Sequence, residues 1–374
     1  MLSADRKVRL MRNAGIFLLT VTVRWTVILI AYLLGDHGGV GEFPRFLTDF
    51  MSTAGDAPHY LQIAATGYQT TGDTANNIVF YPLYPLLMRG MGLLLGSDMA
   101  GGFAVSSVAL GFAGVAVWSL CGELSPDTDA AWWGLAFFLL YPFGMFLTGV
   151  YTESLFVLCS ALCLLMLYRR RWGWMALSGF MAAVTRTQGL VLLLPAAYEW
   201  LTELRHTPRA DRLKRLAALL AIPAGTGVFL LLNLMVTGDA LAFVSYEAAA
   251  PWYNTTQWIA GNLTGHYGMA VDDAYLGVLI YWVQLVLYFL GVAGIFAGLY
   301  RGERTSFMAY GGAYICVSYL HGWLISGPRY MLGCLPLFLL AARMKKGFRM
   351  AVLLLSALLT MGYTIMYLNG GAIM

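Results

Sequence analysis

Eleven apolar stretches bounded by charge or by Gly/Pro clusters dominate the 374-residue chain: 14–34, 102–121, 131–148, 153–168, 173–184, 188–200, 216–236, 275–299, 305–325, 329–343 and 350–368. A helix needs about 20 apolar residues to cross a bilayer. The pattern therefore predicts an all-α polytopic integral membrane protein, a single bundle of about 11 transmembrane helices over residues 1–374. The chain is 59% hydrophobic and 11% charged, too little polar material to cover a soluble globule. Its net charge of +4 is spread between apolar runs, which argues against a nucleic-acid partner. Cys121, Cys159, Cys163, Cys316 and Cys334 all lie in apolar runs, so no disulfide framework is expected. The first stretch follows Arg6, Lys7, Arg9 and Arg12 and is too long for the core of a signal peptide, so it reads as a retained span.

Charge fixes the predicted topology. The segment Phe80 to Gly96 is nearly long enough to cross but carries Pro82, Pro85 and Arg89. If it stays on the outer surface as an amphipathic helix, 18 of the 23 Lys and Arg fall on the cytoplasmic side. If it crosses, the 14 basic residues of the later loops move outside, against the positive-inside rule. The first arrangement gives a cytoplasmic N-terminus and two long outer loops, 35–101 with interfacial helices and 237–274. Eleven of the 19 acids then lie outside, so the outer face is where chemistry could be housed. Stretches 173–184 and 188–200 are too short to cross fully, so the turn between them holds Arg186 below the surface. Backbone of that kind must line a wet cavity or be buried in protein.

The candidate residues all fall on outer segments. Gly55-Asp56-Ala57-Pro58-His59-Tyr60 continues to Gly67-Tyr68 and reads as a short helix opening at Asp56 and ending at Gly67. Asp56 is then either a helix N-cap or a carboxylate that faces a cavity beside His59 and Tyr60 and takes a proton from a substrate hydroxyl. Arg186 and Arg329 occupy outer span ends, where each needs an anion such as a phosphate, or an ion pair with an acid such as Glu153. Glu153 begins a span, where the helix dipole suits it, and could also hold sugar hydroxyls or orient Arg186. Tyr81, Tyr84 and the Pro251-Trp252-Tyr253-Asn254 stretch are either interfacial aromatics or faces that stack on sugar rings. His37, His266 and His321 receive no role. Arg24, near the middle of the first span, requires a partner that the sequence does not name.

Four of these segments together resemble one family. Asp56-Ala57 with Tyr60, Ile63-Ala64 and Gly67-Tyr68; Phe80-Tyr81-Pro82-Leu83-Tyr84-Pro85; Tyr151-Thr152-Glu153-Ser154-Leu155-Phe156; and Thr185-Arg186-Thr187-Gln188-Gly189 occur in this order over about residues 50–200. They are similar to the GT-C glycosyltransferases, and within them to the PIG-V-type mannosyltransferases. Pro328-Arg329-Tyr330 extends the likeness loosely into the C-terminal half, and Gly55 departs from it, since many relatives have Trp there. The resemblance implies a catalytic Asp56 in the first outer loop of a bacterial plasma-membrane enzyme. It also implies a hexose donor, mannose above all, carried on a polyprenyl phosphate. His59, Tyr60, Tyr81, Tyr84, Glu153, Arg186, Gln188, Arg329 and Tyr330 are then the expected substrate-binding residues. A glycolipid, glycan or protein is the expected acceptor, and neither a cofactor nor a metal is expected. Two other classes compete: a secondary transporter or flippase for a polar or lipid-linked solute, and an inactive scaffold on the same fold. Transporters place ionisable groups near the midplane on repeated halves, whereas the candidates here cluster at outer helix ends and no repeat is evident.

Overall fold

The computed structural model describes residues 4–125, 127–273, 277–322 and 326–371. It is helical throughout, with one isolated antiparallel bridge between Thr256 and His321 among the described residues. Five of the described helices are long and apolar enough to cross a membrane: Ala4–Leu34, Asp98–Leu124, Arg209–Thr237, the segment ending Trp282–Tyr300, and Lys346–Leu368. The chain is a multi-pass membrane protein.

The other six predicted stretches form shorter or interrupted helices, because hydropathy reports the surroundings of a segment and not the continuity of its backbone. Residues 131–148 show how a break is tolerated. The helix Thr128–Leu139 stops at Leu140 and the chain continues into a 3-10 turn, Gly144–Leu147. Its orphaned carbonyls are met by side chains, as they must be in an apolar setting. Arg24 Nη1 donates to the Leu139 carbonyl at 2.9 Å, and Ser356 and Thr360 donate to the Leu140 carbonyl at 2.5 and 2.7 Å. The Leu139 carbonyl gives Arg24 one acceptor, while its Nε and Nη2 have none among the described residues. Gly144 makes room for it, since a Cβ there would lie 2.7 Å from the guanidinium carbon.

The Phe80–Gly96 segment does not run straight across the bundle. Its helix Leu83–Leu95 has 13 residues, about 20 Å at 1.5 Å per residue, and is bent by 114° from the preceding 3-10 helix Asp73–Val79. It packs closely on Asp98–Leu124, where a Cβ on Gly101 would meet the Met88 carbonyl at 2.3 Å.

Charged groups collect at two places along the chain's path. Glu199 receives Arg170 at 2.9 Å, Arg304 at 2.8 Å and the Ser306 hydroxyl at 2.5 Å, while Glu203 pairs with Arg215 at 2.6 Å and Glu303 with Arg343. All of these lie on segments that charge counting assigns to one side. Several of the segments assigned to the other side, those of Asp56, Arg186, Glu247 and Arg329, line one cavity.

Candidate functional site

The first outer segment folds as its residue types dictate. Gly55 takes φ of +51°, a left-handed conformation that glycine adopts at little cost. Asp56 then opens the helix Ala57–Thr66, with Pro58 in its first turn and Gly67 at its C-cap. Asp56 sits at the N-cap position but makes no side-chain cap hydrogen bond. Its carboxylate is instead turned toward a cationic partner, with Oδ2 lying 2.7 Å from Arg329 Nη2.

Arg329 belongs to the one-turn helix Gly327–Tyr330, and its guanidinium lies 4.8 Å from the ring centroids of both Phe146 and Tyr151. Its Nε is 2.5 Å from Glu153 Oε1. The same oxygen meets Arg186 Nη1 at 2.5 Å, and that nitrogen also donates to the Thr152 hydroxyl at 3.2 Å. Arg186 stands over the Tyr330 ring at 5.0 Å. Two carboxylates and two guanidiniums thus form a buried, formally neutral chain from Asp56 through Arg329 and Glu153 to Arg186. Glu153 and Arg329 are almost fully buried, whereas the Asp56 side chain remains 28% exposed. The ion-pair reading of both arginines is the one the structure adopts.

The Arg186 turn depends on Gly189. The helix Trp172–Thr185 ends in an extended Arg186, followed by the 3-10 helix Thr187–Leu192. A Cβ on Gly189 would lie 2.4 Å from the Ala182 carbonyl carbon. Gly189→Val should therefore push this turn off its helix, cost about 1–3 kcal/mol of stability by overpacking, and displace Arg186. The denaturant midpoint of the purified protein measures the first effect.

Asp56, Tyr60, Tyr81, Arg186, Gln188, Arg329 and Tyr330 line one cavity of about 420 Å³, ample for a sugar and a phosphate group. The remaining sequence candidates lie off its wall. His59 points to Asn77, with Nδ1 and Oδ1 2.8 Å apart, and stacks on Phe80. Tyr84 is wholly buried and bonds Ser106 at 2.8 Å, so its ring faces helix packing rather than a ligand. Glu153 sits behind the wall and acts on it through the two arginines. Burial, and then the Asp56 charge, hold the Tyr60 hydroxyl above its usual range, so it stays protonated at neutral pH.

The sequence reading missed Thr152, Thr187, Glu247 and His321, which share this wall. Thr187 donates to the Tyr81 hydroxyl at 3.2 Å, and Tyr81 stacks on Phe229 with centroids 3.9 Å apart. Trp252 bonds the Asn76 carbonyl through its indole N–H at 3.1 Å, tying the Trp252 loop to the segment after the Ala57–Thr66 helix. No local pattern marked Glu247 or His321, since each is a lone polar residue whose neighbours come from distant segments.

Burial raises the Glu247 carboxyl from its ordinary 4.5 to about 7. The folded protein then binds more protons than the unfolded chain between those values, so this group's contribution to stability falls as pH rises from about 4.5 to about 7. Melting curves should show that slope in the wild type and a shallower one in Glu247→Gln.

Comparison with family models and with curated proteins gives no match. Among solved structures the chain is similar to the crystal structure of the Archaeoglobus fulgidus oligosaccharyltransferase with zinc and sulfate, at 16% identity and a TM-score of 0.45 over 79% of this chain and 44% of that one. It is similar to the same enzyme tethered to an acceptor peptide containing the NVT sequon, at 13% identity and 0.47 over 93% and 55%. A third is the archaeal oligosaccharyltransferase AglB from Archaeoglobus fulgidus with an inhibitory peptide and a dolichol-phosphate, at 12% identity and 0.45 over 93% and 55%. The chain spans about half the length of the solved structures it matches.

Proposed function

We propose that the protein is an integral-membrane inverting glycosyltransferase of GT-C type that moves a hexose, mannose in the first instance, from a polyprenyl-phosphate donor to an acceptor hydroxyl on the non-cytoplasmic side. Loop 35–101 supplies the catalytic carboxylate and loop 237–274 closes the cavity over it. The observation that carries this reading is Asp56: a helix-start carboxylate free of backbone bonds, oriented by Arg329 and open to a cavity of substrate size.

In this reading Asp56 accepts the proton of the acceptor hydroxyl as its oxygen attacks the anomeric carbon. The bond from that carbon to the phosphate oxygen breaks on the opposite face, and the lipid phosphate leaves as an anion that needs no general acid. Arg186, whose guanidinium keeps some exposure to the cavity, offers its remaining N–H donors to the charge developing on that phosphate. Because Glu153 already balances the cation, this help comes from directed hydrogen bonds and not from surplus positive charge.

Purified protein in sealed liposomes, supplied with a synthetic polyprenyl-phosphate mannose and octyl mannoside, tests the assignment. Labelled disaccharide is expected. Movement of label across the membrane without a new glycosidic bond would instead indicate a flippase.

A further inference from the structure

Glu247 sits in the short helix Ala242–Ala248, on the part of the cavity wall supplied by the second outer loop. Its place is fixed from both ends. The buried Asn233 accepts from the Phe243 backbone N–H at 3.0 Å, and the Glu247 carbonyl accepts from the Asn254 N–H at 2.7 Å. The helix also packs against the 3-10 helix Asp73–Val79 of the first loop. Its carboxyl nevertheless has no hydrogen bond or ion pair to any described residue, unlike Asp56 and Glu153 in the same site. The residue is partly exposed and lines the cavity, so its carboxyl oxygens are open to a group that fills it. The wall around it carries Tyr81, Trp252 and Tyr330. A carboxyl without a protein partner among the described residues, set among aromatic faces, matches a ligand with hydroxyls on one edge and C–H groups on its face.

We infer that Glu247 is a specificity-determining residue that holds hydroxyls of a sugar unit in the cavity. The inference deepens the transferase reading and rests on it for the identity of the reaction. The sugar is either the donor hexose or the sugar that accepts it, and the two share the same hydroxyl chemistry.

Steady-state transfer from synthetic polyprenyl-phosphate mannose to octyl mannoside, with each varied in turn, separates these sources. Replacing a charge-assisted hydrogen bond by a neutral one in Glu247→Gln should raise one KM about tenfold while kcat changes little. A rise in the donor KM places the donor hexose at Glu247, and a rise in the octyl mannoside KM places the acceptor there. Glu247→Asp, which keeps the charge on a shorter side chain, should recover part of the loss. Where the acceptor KM is the one that rises, binding of octyl mannoside without donor, followed by tryptophan fluorescence, should weaken in Glu247→Gln and be partly restored in Glu247→Asp. Unchanged KM values for both substrates, or octyl mannoside binding equal in wild type and Glu247→Gln with a wild-type donor KM, would overturn the inference while leaving transfer intact. Absence of turnover in the wild type with Glu247-dependent binding would instead defeat the transferase reading alone.

Discussion

Asp56→Asn should lower kcat for sugar transfer by about 10²- to 10⁴-fold, the range that a positioned general base supplies. The substitution keeps the size of the side chain and removes its charge, both as a base and as the partner of Arg329. Because Asp56 makes no cap hydrogen bond to the Ala57–Thr66 helix, its loss leaves the helix start intact. Losing the charge beside Arg329 should lower the melting temperature, so kcat is taken per folded molecule, and the donor KM should change by no more than a few fold. A merely structural Asp56 would behave differently, with activity falling only as folded protein was lost and kcat per folded molecule unchanged. Measuring kcat and the melting temperature on the same preparations separates the two.

Glu153→Ala is the second large effect expected, and it falls on stability. Glu153 Oε1 faces both guanidiniums at 2.5 Å in a position that is 2% exposed. Deleting the carboxylate leaves Arg186 and Arg329 crowded together with only Asp56 to balance them. Removing one partner of a buried ionic group costs about 3–5 kcal/mol, because the remaining charge stays desolvated. Denaturant unfolding in detergent should show a loss of that size, with transfer abolished. A loss below about 1 kcal/mol would mean that water reaches the pair and that the site is wetter than its burial indicates.

Much of this site was legible in the sequence, for reasons that particular residues make plain. The helix from Asp56 to Gly67 was readable because an acid, a proline in the first turn and a terminal glycine are local signals. The grouping of Asp56, Arg186 and Arg329 was readable indirectly, since charge counting assigned their segments to one side of the membrane. What it could not supply was pairing. Arg329 and Glu153 are 176 positions apart, and no spacing rule links them. Tyr84 shared a motif with Tyr81, yet Tyr84 lies within the Leu83–Leu95 helix and is buried, whereas Tyr81 precedes that helix and lies on the cavity wall. His59 neighbours Tyr60, but at successive helix positions the two side chains face different directions. In the fold, apolar runs marked where membrane-embedded segments lie and concealed that several of them break, because the carbonyls freed at Leu139 and Leu140 are satisfied by Arg24, Ser356 and Thr360 from remote helices.

The central claim is that a hydroxyl activated by Asp56 displaces a lipid phosphate directly from the anomeric carbon of a sugar. The anomeric configuration of the product, read by NMR after reaction of purified protein with an anomerically pure polyprenyl-phosphate mannose and octyl mannoside, tests it most directly. The account requires a new glycosidic bond of inverted configuration in the wild type and at most trace product from Asp56→Asn. A product of retained configuration, or equal yields from the two proteins, would contradict it.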